Sequence, residues 1–131
     1  MATISKLKKK LDKLFSEYIR LRDSDYKGNC KCISCGKEAP AFGGSTHAGH
    51  LFSRRYLSIR FDEKNVNSQC SYCNTFLNGN QLLAARGVEN KWGEGTVANL
   101  ESRMHVTTKL SRIDYEEAID NIKRKIKDLN V

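Results

Sequence analysis

Proline is almost absent from this chain: a single residue, Pro40, among 131. There is no low-complexity run either, so nothing reads as an interdomain linker, and the length suits one domain, 1–131. Long apolar runs are missing as well. No stretch approaches the roughly 18 apolar residues of a membrane-spanning helix, so no such span is expected here. Met1-Ala2-Thr3 leads into lysines rather than an apolar segment, so no secretory leader is read. The expectation is a soluble protein of the cytoplasm. Acidic residues are short too, with 15 Asp and Glu against 23 Lys and Arg, a formal charge of +8. A surplus this large on a small domain points to a polyanionic partner, nucleic acid first, with a merely soluble basic protein as the plain alternative. Apolar residues make up only 39% of the chain, a modest core that a metal staple would help.

Cysteine is what the chain does have. Five occur without a secretion signal, and a reducing compartment argues against disulfides. Cys32-Ile33-Ser34-Cys35 and Cys70-Ser71-Tyr72-Cys73 form two Cys-x-x-Cys turns. Each turn presents two thiolates from one tight bend, and two turns fill a tetrahedral zinc shell with no open position. That chemistry predicts one structural Zn2+ per chain on Cys32, Cys35, Cys70 and Cys73. A redox role would explain one pair but not two. Cys30 is left over. It could replace Cys32 through a Cys-Lys-Cys spacing, but Cys-x-x-Cys is the commoner knuckle, so Cys30 reads as free.

Helical patterns flank this centre. Ile4, Leu7, Leu11, Leu14, Tyr18 and Leu21 recur at steps of three and four, which predicts a helix over 5–22 with lysines on its other faces. Asp23-Ser24-Asp25 and Gly28-Asn29 break it. Residues 95–130 read as helical again. Val97, Leu100 and Met104 share one face, and Tyr115, Ile119, Ile122, Ile126 and Leu129 form a second seam with Asp114 as its N-cap. The two seams either pack on each other and on the centre, or one pairs with a second subunit. Within the centre, 29–80, residues 46–52 and 57–61 read as short strands. Residues 71–77 open a helix that Asn78-Gly79-Asn80 ends or bends.

Between the knuckles stand His47 and His50. Asn65 and Asn67 precede the second knuckle, and Asn74 follows it directly. A histidine, then an asparagine, then a ligand on a helix is the order of parts in a ββα-metal nuclease site. Phosphodiester hydrolysis needs a water made nucleophilic near neutral pH, and a histidine can take that proton. A hard divalent cation must offset charge on the phosphate and the leaving oxygen. An asparagine carbonyl suits such a cation, and the histidine's second nitrogen needs a carbonyl to fix its tautomer.

Ala48-Gly49-His50, the run Arg60 to Val66, Gln69-Cys70-x-x-Cys73-Asn74 and Gly79-Asn80 resemble the NinG/Rap family of lambdoid bacteriophages. Tyr18 to Arg22 and Cys32 to Lys37 fit that pattern too, so the resemblance spans roughly residues 6–100. The Cys-x-x-Cys-Asn ending also resembles zinc-containing junction resolvases of the His-Me finger (HNH) class. The resemblance implies a structure-specific DNA endonuclease active on recombination junctions in a phage-carrying host. It implies His50 as general base, Asn65 as the asparagine that orients the histidine strand, and Asn74 as a ligand of catalytic Mg2+ or Mn2+. Where that family carries an aspartate three residues before the base, this chain has His47. The second ligand is therefore His47 or, alternatively, Asp62, and an imidazole favours ions softer than magnesium.

Arg54, Arg55, Arg60 and Lys64 lie close after His50 and are candidate DNA contacts. Arg54 is also placed to stabilise charge on the scissile phosphate. Lys6, Lys8, Lys9, Lys10 and Lys13, with Lys123, Arg124, Lys125 and Lys127, could add phosphate contacts that carry no sequence information. The expected fold is α+β, a zinc-stapled, treble-clef-like ββα-metal core flanked by N- and C-terminal helices. The expected function is hydrolysis of branched DNA such as a Holliday junction, by a homodimer because symmetric cleavage needs two sites. A non-catalytic zinc-finger nucleic-acid module is the alternative. An adaptor built on the helical seams fits the charge poorly.

Overall fold

A computed structural model describes residues 2–130. The chain is mixed α+β. Helix α1 (Ile4–Arg22) starts at Thr3, whose hydroxyl accepts from the Lys6 N–H at 3.2 Å, and leads to an antiparallel hairpin, β1 (Asn29–Lys31) with β2 (Glu38–Pro40). A second hairpin joins β3 (Thr46–His50) to β4 (Val66–Cys70), with Thr46 opposite Cys70 and His50 opposite Val66. The one-turn helix α2 (Leu57–Arg60) lies between those strands. After β4 come a π-helical turn (Tyr72–Phe76) and then α3 (Gln81–Trp92), α4 (Thr96–Met104) and α5 (Arg112–Leu129).

The two outer seams meet within the chain. Leu7, Leu11, Phe15, Tyr18 and Ile19 of α1 share a buried cluster with Tyr115, Ile119 and Ile122 of α5, and with Ala48 and Val66 of the β3–β4 hairpin. The buried stripe of α1 runs through Phe15 and Ile19 rather than Leu14 and Leu21, the pattern of a helix lying on a globular core instead of a coiled-coil seam. The helices run parallel. Arg112 at the start of α5 donates to the Ala2 carbonyl, while at the far end Lys125 lies over the Tyr18 ring. The lysines of early α1 and late α5 therefore sit at opposite ends of the pair and do not merge into one patch.

Two expectations are corrected, and one helix is new. Residues 57–61 do not form a strand. Leu57–Arg60 is a helical turn that buries Ile59, and its Ser58 hydroxyl donates to the Arg103 carbonyl at 2.7 Å. The strand that pairs with β3 is instead Val66–Cys70, buried along its whole length although its middle reads Asn-Ser-Gln. Asp114 is not the N-cap of α5. Ser111 is, and Asp114 reciprocates from the third helical position in a capping box. Helix α3 has no counterpart in the periodicity. It buries only Ala84 and Val88 and reaches the first knuckle at Gly87, where a Cβ would collide with the Ile33 carbonyl.

The end of α1 is tied to the centre by charge. The Asp23 carboxylate pairs with Arg22 at 2.8 Å and Lys91 at 2.7 Å and accepts from the Ser68 N–H at 2.9 Å. Burial pushes the Asp23 pKa up, but Arg22 and Lys91 outweigh it and hold the carboxyl below its ordinary value.

Candidate functional site

Hairpin β1–β2 and the end of β4 bring the two knuckles together. The ligand atoms of Cys32, Cys35, Cys70 and Cys73 all lie within 4.8 Å of one another. Cys35 Sγ and Cys70 Sγ are 3.8 Å apart, the edge of a tetrahedron with zinc–sulfur bonds of about 2.3 Å. The N–H groups of Ser34 and Cys35 point at Cys32 Sγ, each at 3.4 Å, and that of Cys73 at Cys70 Sγ at the same distance. Burial opposes ionisation of Cys32, yet donors from Cys35, Cys70 and Ser34 win and draw its thiol down to about 7. Four thiols at this spacing, with N–H donors directed at sulfur, fit a metal ion such as zinc. Cys30 is outside the cluster. It is buried under α1, with its thiol donating to the Arg20 carbonyl at 3.2 Å.

The residues between the knuckles fall into two sets. His47 and Asn74 form the first, with the Asn74 side-chain N–H donating to His47 Nδ1 at 2.8 Å. They line an open groove of about 310 Å³ with Arg54, Ser16, Arg20 and Gly44. Among the described residues, no carboxylate lines it. Two neutral donors are too few for magnesium alone, which usually binds through carboxylates and substrate phosphates. The donor set fits a divalent ion only if phosphate oxygens complete it, and the imidazole favours a softer ion than magnesium. Asp62 does not supply a missing ligand. Its carboxylate accepts from Arg103 at 3.0 Å and from the Lys64 N–H at 2.9 Å, away from this groove.

His50 forms the second set. Residues three apart on a strand face opposite ways, which separates it from His47. His50 Nε2 lies 2.9 Å from the Arg60 carbonyl. With that nitrogen donating, Nδ1 carries the lone pair. Burial pushes the His50 pKa down to about 4, nearby Arg54 and Arg60 push the same way, and the Arg60 carbonyl opposes them. The imidazole is therefore neutral and a proton acceptor near pH 7. Arg54 connects the sets, since it lines the groove and its charge also bears on His50.

Asn65 holds this arrangement. It is fully buried, donates from Nδ2 to the carbonyls of Phe52 and Ile59, each at 3.1 Å, and accepts from the Phe52 N–H at 2.9 Å. Its side chain thus ties α2, next to the Arg60 carbonyl, to the end of β3. Asn67 is equally buried. Its carbonyl accepts from Arg22, Lys91 and Trp92, so it belongs to the scaffold. Among the basic candidates, Arg54, Arg55 and Lys64 are exposed. Arg60 is committed to the fold, since it grips both Asp12 carboxylate oxygens and the Arg54 carbonyl.

Sequence reasoning missed Arg20 and Gln69. Arg20 lines the groove and lies over the Phe42 ring at 4.5 Å. Its place in the run Tyr18 to Arg22 was the available signal. Gln69, paired with His47 across the hairpin, donates to Ser34 Oγ at 2.8 Å and to the Gly79 carbonyl. It packs against Gly49, where a Cβ would strike its amide.

Fold and site define a small mixed α+β protein built around a four-cysteine cluster suited to a metal ion. The chain belongs to the Bacteriophage Lambda NinG protein family, whose profile matches residues 2–131. It is 33% identical over 95 residues to Protein ninG of Escherichia phage 933W, covering 72% of this chain and 44% of that protein. It is 30% identical over 122 residues to Protein ninG of Enterobacteria phage H19B, covering 92% and 57%. Protein ninG of Salmonella phage P22 is 29% identical over 122 residues, covering 88% and 57%. The chain spans about half the length of these relatives. No solved structure matches it. Among the described residues, no helix is long and apolar enough to cross a membrane.

Proposed function

We propose that this chain is a metal-dependent endonuclease of the His-Me finger kind, cutting branched DNA such as a four-way junction in the cytoplasm of a phage-carrying host. The observation that carries this reading is His50, neutral, held at Nε2 by a carbonyl and left with Nδ1 as proton acceptor. In the proposed reaction His50 takes the proton of the attacking water. Asn65 keeps α2 and the Arg60 carbonyl in place, and so fixes the tautomer of the base. Arg54 and Arg20 hold the phosphate in the groove. His47 and Asn74 would hold a magnesium or manganese ion together with the phosphate oxygens. When bound, that ion supplies charge neutralisation at the scissile phosphate and the leaving oxygen. The cysteine cluster, filled by zinc, keeps the hairpin and the π-turn in register and takes no part in the chemistry. Symmetric cutting of a junction calls for two copies of the chain.

The lack of a carboxylate among the described residues that line the groove favours a second reading, a zinc-stapled DNA-binding module without cleavage. A labelled four-way junction incubated with magnesium or manganese separates the two. Wild type cuts it and His50→Ala does not. No cutting by wild type, or undiminished cutting by His50→Ala, contradicts the nuclease reading.

A further inference from the structure

The π-turn that carries Asn74 also leaves two aromatic rings in water. Tyr72 is 58% exposed and Phe76 is 75% exposed, with ring centroids 5.7 Å apart and planes inclined by 33°. Leu77, Leu82 and Leu83 are exposed beside them in sequence. The strand just before this turn buries Asn67 and Gln69 completely, so the protein takes polar side chains inside while these rings stay out. Core packing does not account for them, and a clustered exposed apolar patch marks a contact surface.

Charge identifies the contact. Residues 39–88 contain only Asp62 and Glu63 as acidic side chains, against the exposed Arg54, Arg55, Lys64 and Arg86. Arg86 is exposed one turn after Leu82 on α3 and so shares its face. Asn74, which lines the groove with His47, Arg54 and Arg20, stands between Tyr72 and Phe76 in the sequence of the same π-turn. A strand with its phosphate in that groove therefore lies beside the five-residue turn that carries the rings.

We infer that Tyr72 and Phe76 form a stacking platform for unpaired nucleobases, selecting DNA in which a base next to the bound phosphate is free of its partner. Every base has a π-face, so such a platform recognises unpaired structure without reading sequence. A fully paired duplex hides its faces and gains nothing from the rings. This deepens the proposed function by supplying a reason for preferring branched DNA, and it rests on that reading only for the position of the phosphate.

The test is fluorescence anisotropy on a labelled duplex with an unpaired flap and on the same duplex fully paired, with calcium in place of magnesium so that no strand is cut. Tyr72→Ala/Phe76→Ala is expected to lose about tenfold or more in affinity for the flap and less than about twofold for the duplex. Tyr72→Phe/Phe76→Trp keeps the aromatic faces and is expected to bind the flap as wild type does. Both side chains are exposed, so neither change reaches the core. Equal loss on both substrates, no loss on either, or no flap preference in wild type would overturn the platform. So would a shift from dimer to monomer in sedimentation with flap affinity unchanged, which would mark the patch as a face between copies. Failure of cutting with these binding results intact would remove the nuclease reading and leave the platform standing.

Discussion

Across the α1–α5 contact the buried side chains are Leu7, Leu11, Phe15, Tyr115, Ile119 and Ile122. Along β4 they are Val66, Asn67, Ser68, Gln69 and Cys70. The first region is held by apolar area, which is non-directional and tolerates small shifts. The second is held by directed bonds: the four-cysteine cluster, the three side-chain bonds of Asn65, and Gln69 reaching Ser34 and Gly79. No buried side-chain nitrogen or oxygen among the described residues lacks a partner. If His50, His47 and Asn74 act as proposed, directed bonds give this region the positional precision that apolar packing alone would not supply.

The sharpest way to break the comparison is to remove the metal. Structural zinc in small domains contributes about 10 kcal/mol or more at neutral pH. A strong chelator should therefore strip amide-exchange protection from β3 and β4 and abolish the cooperative thermal transition. A chelated protein with native exchange and an unchanged midpoint would contradict the role given to the cluster. The next effect lies on the other side. Leu11→Ala empties a fully buried site and should cost about 2–5 kcal/mol in urea unfolding. Metal content, read by a thiol-competing zinc dye, should stay at the wild-type value. Loss of metal along with stability would mean that the two regions are not separately held.

The third effect is pH-dependent and belongs to His50. In the unfolded chain it binds its proton near 6.5, and in the folded chain only near 4. The unfolded state thus holds more protons between those values, so stability falls as pH drops from about 6.5 to 4. The full loss from this group is on the order of 3 kcal/mol. His50→Gln should flatten that part of the stability–pH curve, and an unchanged slope would show that His50 is not held neutral. The smallest expected effect is Asn65→Ala, about 1–3 kcal/mol from the unpaired groups it leaves at Phe52 and Ile59. Cutting of junction DNA by this variant should fall further than its stability explains, because the Arg60 carbonyl loses its support.

The helical pair was legible because its signal is periodic. Spacing marked helix at 5–22 and again within 95–130, the stretches that hold α1 and the pair α4 and α5, and the knuckle spacing marked all four clustered cysteines. The centre was legible only as motifs. Strand β4 escaped because Asn67, Ser68 and Gln69 read as polar loop residues until their partners, Trp92, Lys31 and Ser34, are brought in from elsewhere. Leu57-Ser58-Ile59-Arg60 alternates as a strand would, but the Asn65 side chain and the Arg103 carbonyl hold it as a turn of helix. Arg60 looked like a phosphate ligand until Asp12, far away in sequence, occupied it. In each case the deciding partner is distant along the chain, which local patterns cannot register.

In the proposed function the cysteine cluster is the frame and His50 the reactive group. Bound zinc and junction-cutting rate, taken together on His50→Ala and on Cys70→Ser, separate these two roles. His50→Ala is expected to keep wild-type zinc and a cooperative fold, at a cost of about 1–3 kcal/mol from the unpaired Arg60 carbonyl, and to lose cutting, whereas Cys70→Ser is expected to lose zinc, fold and cutting together. Cutting retained by His50→Ala, or native structure retained by a zinc-free Cys70→Ser, would contradict that assignment.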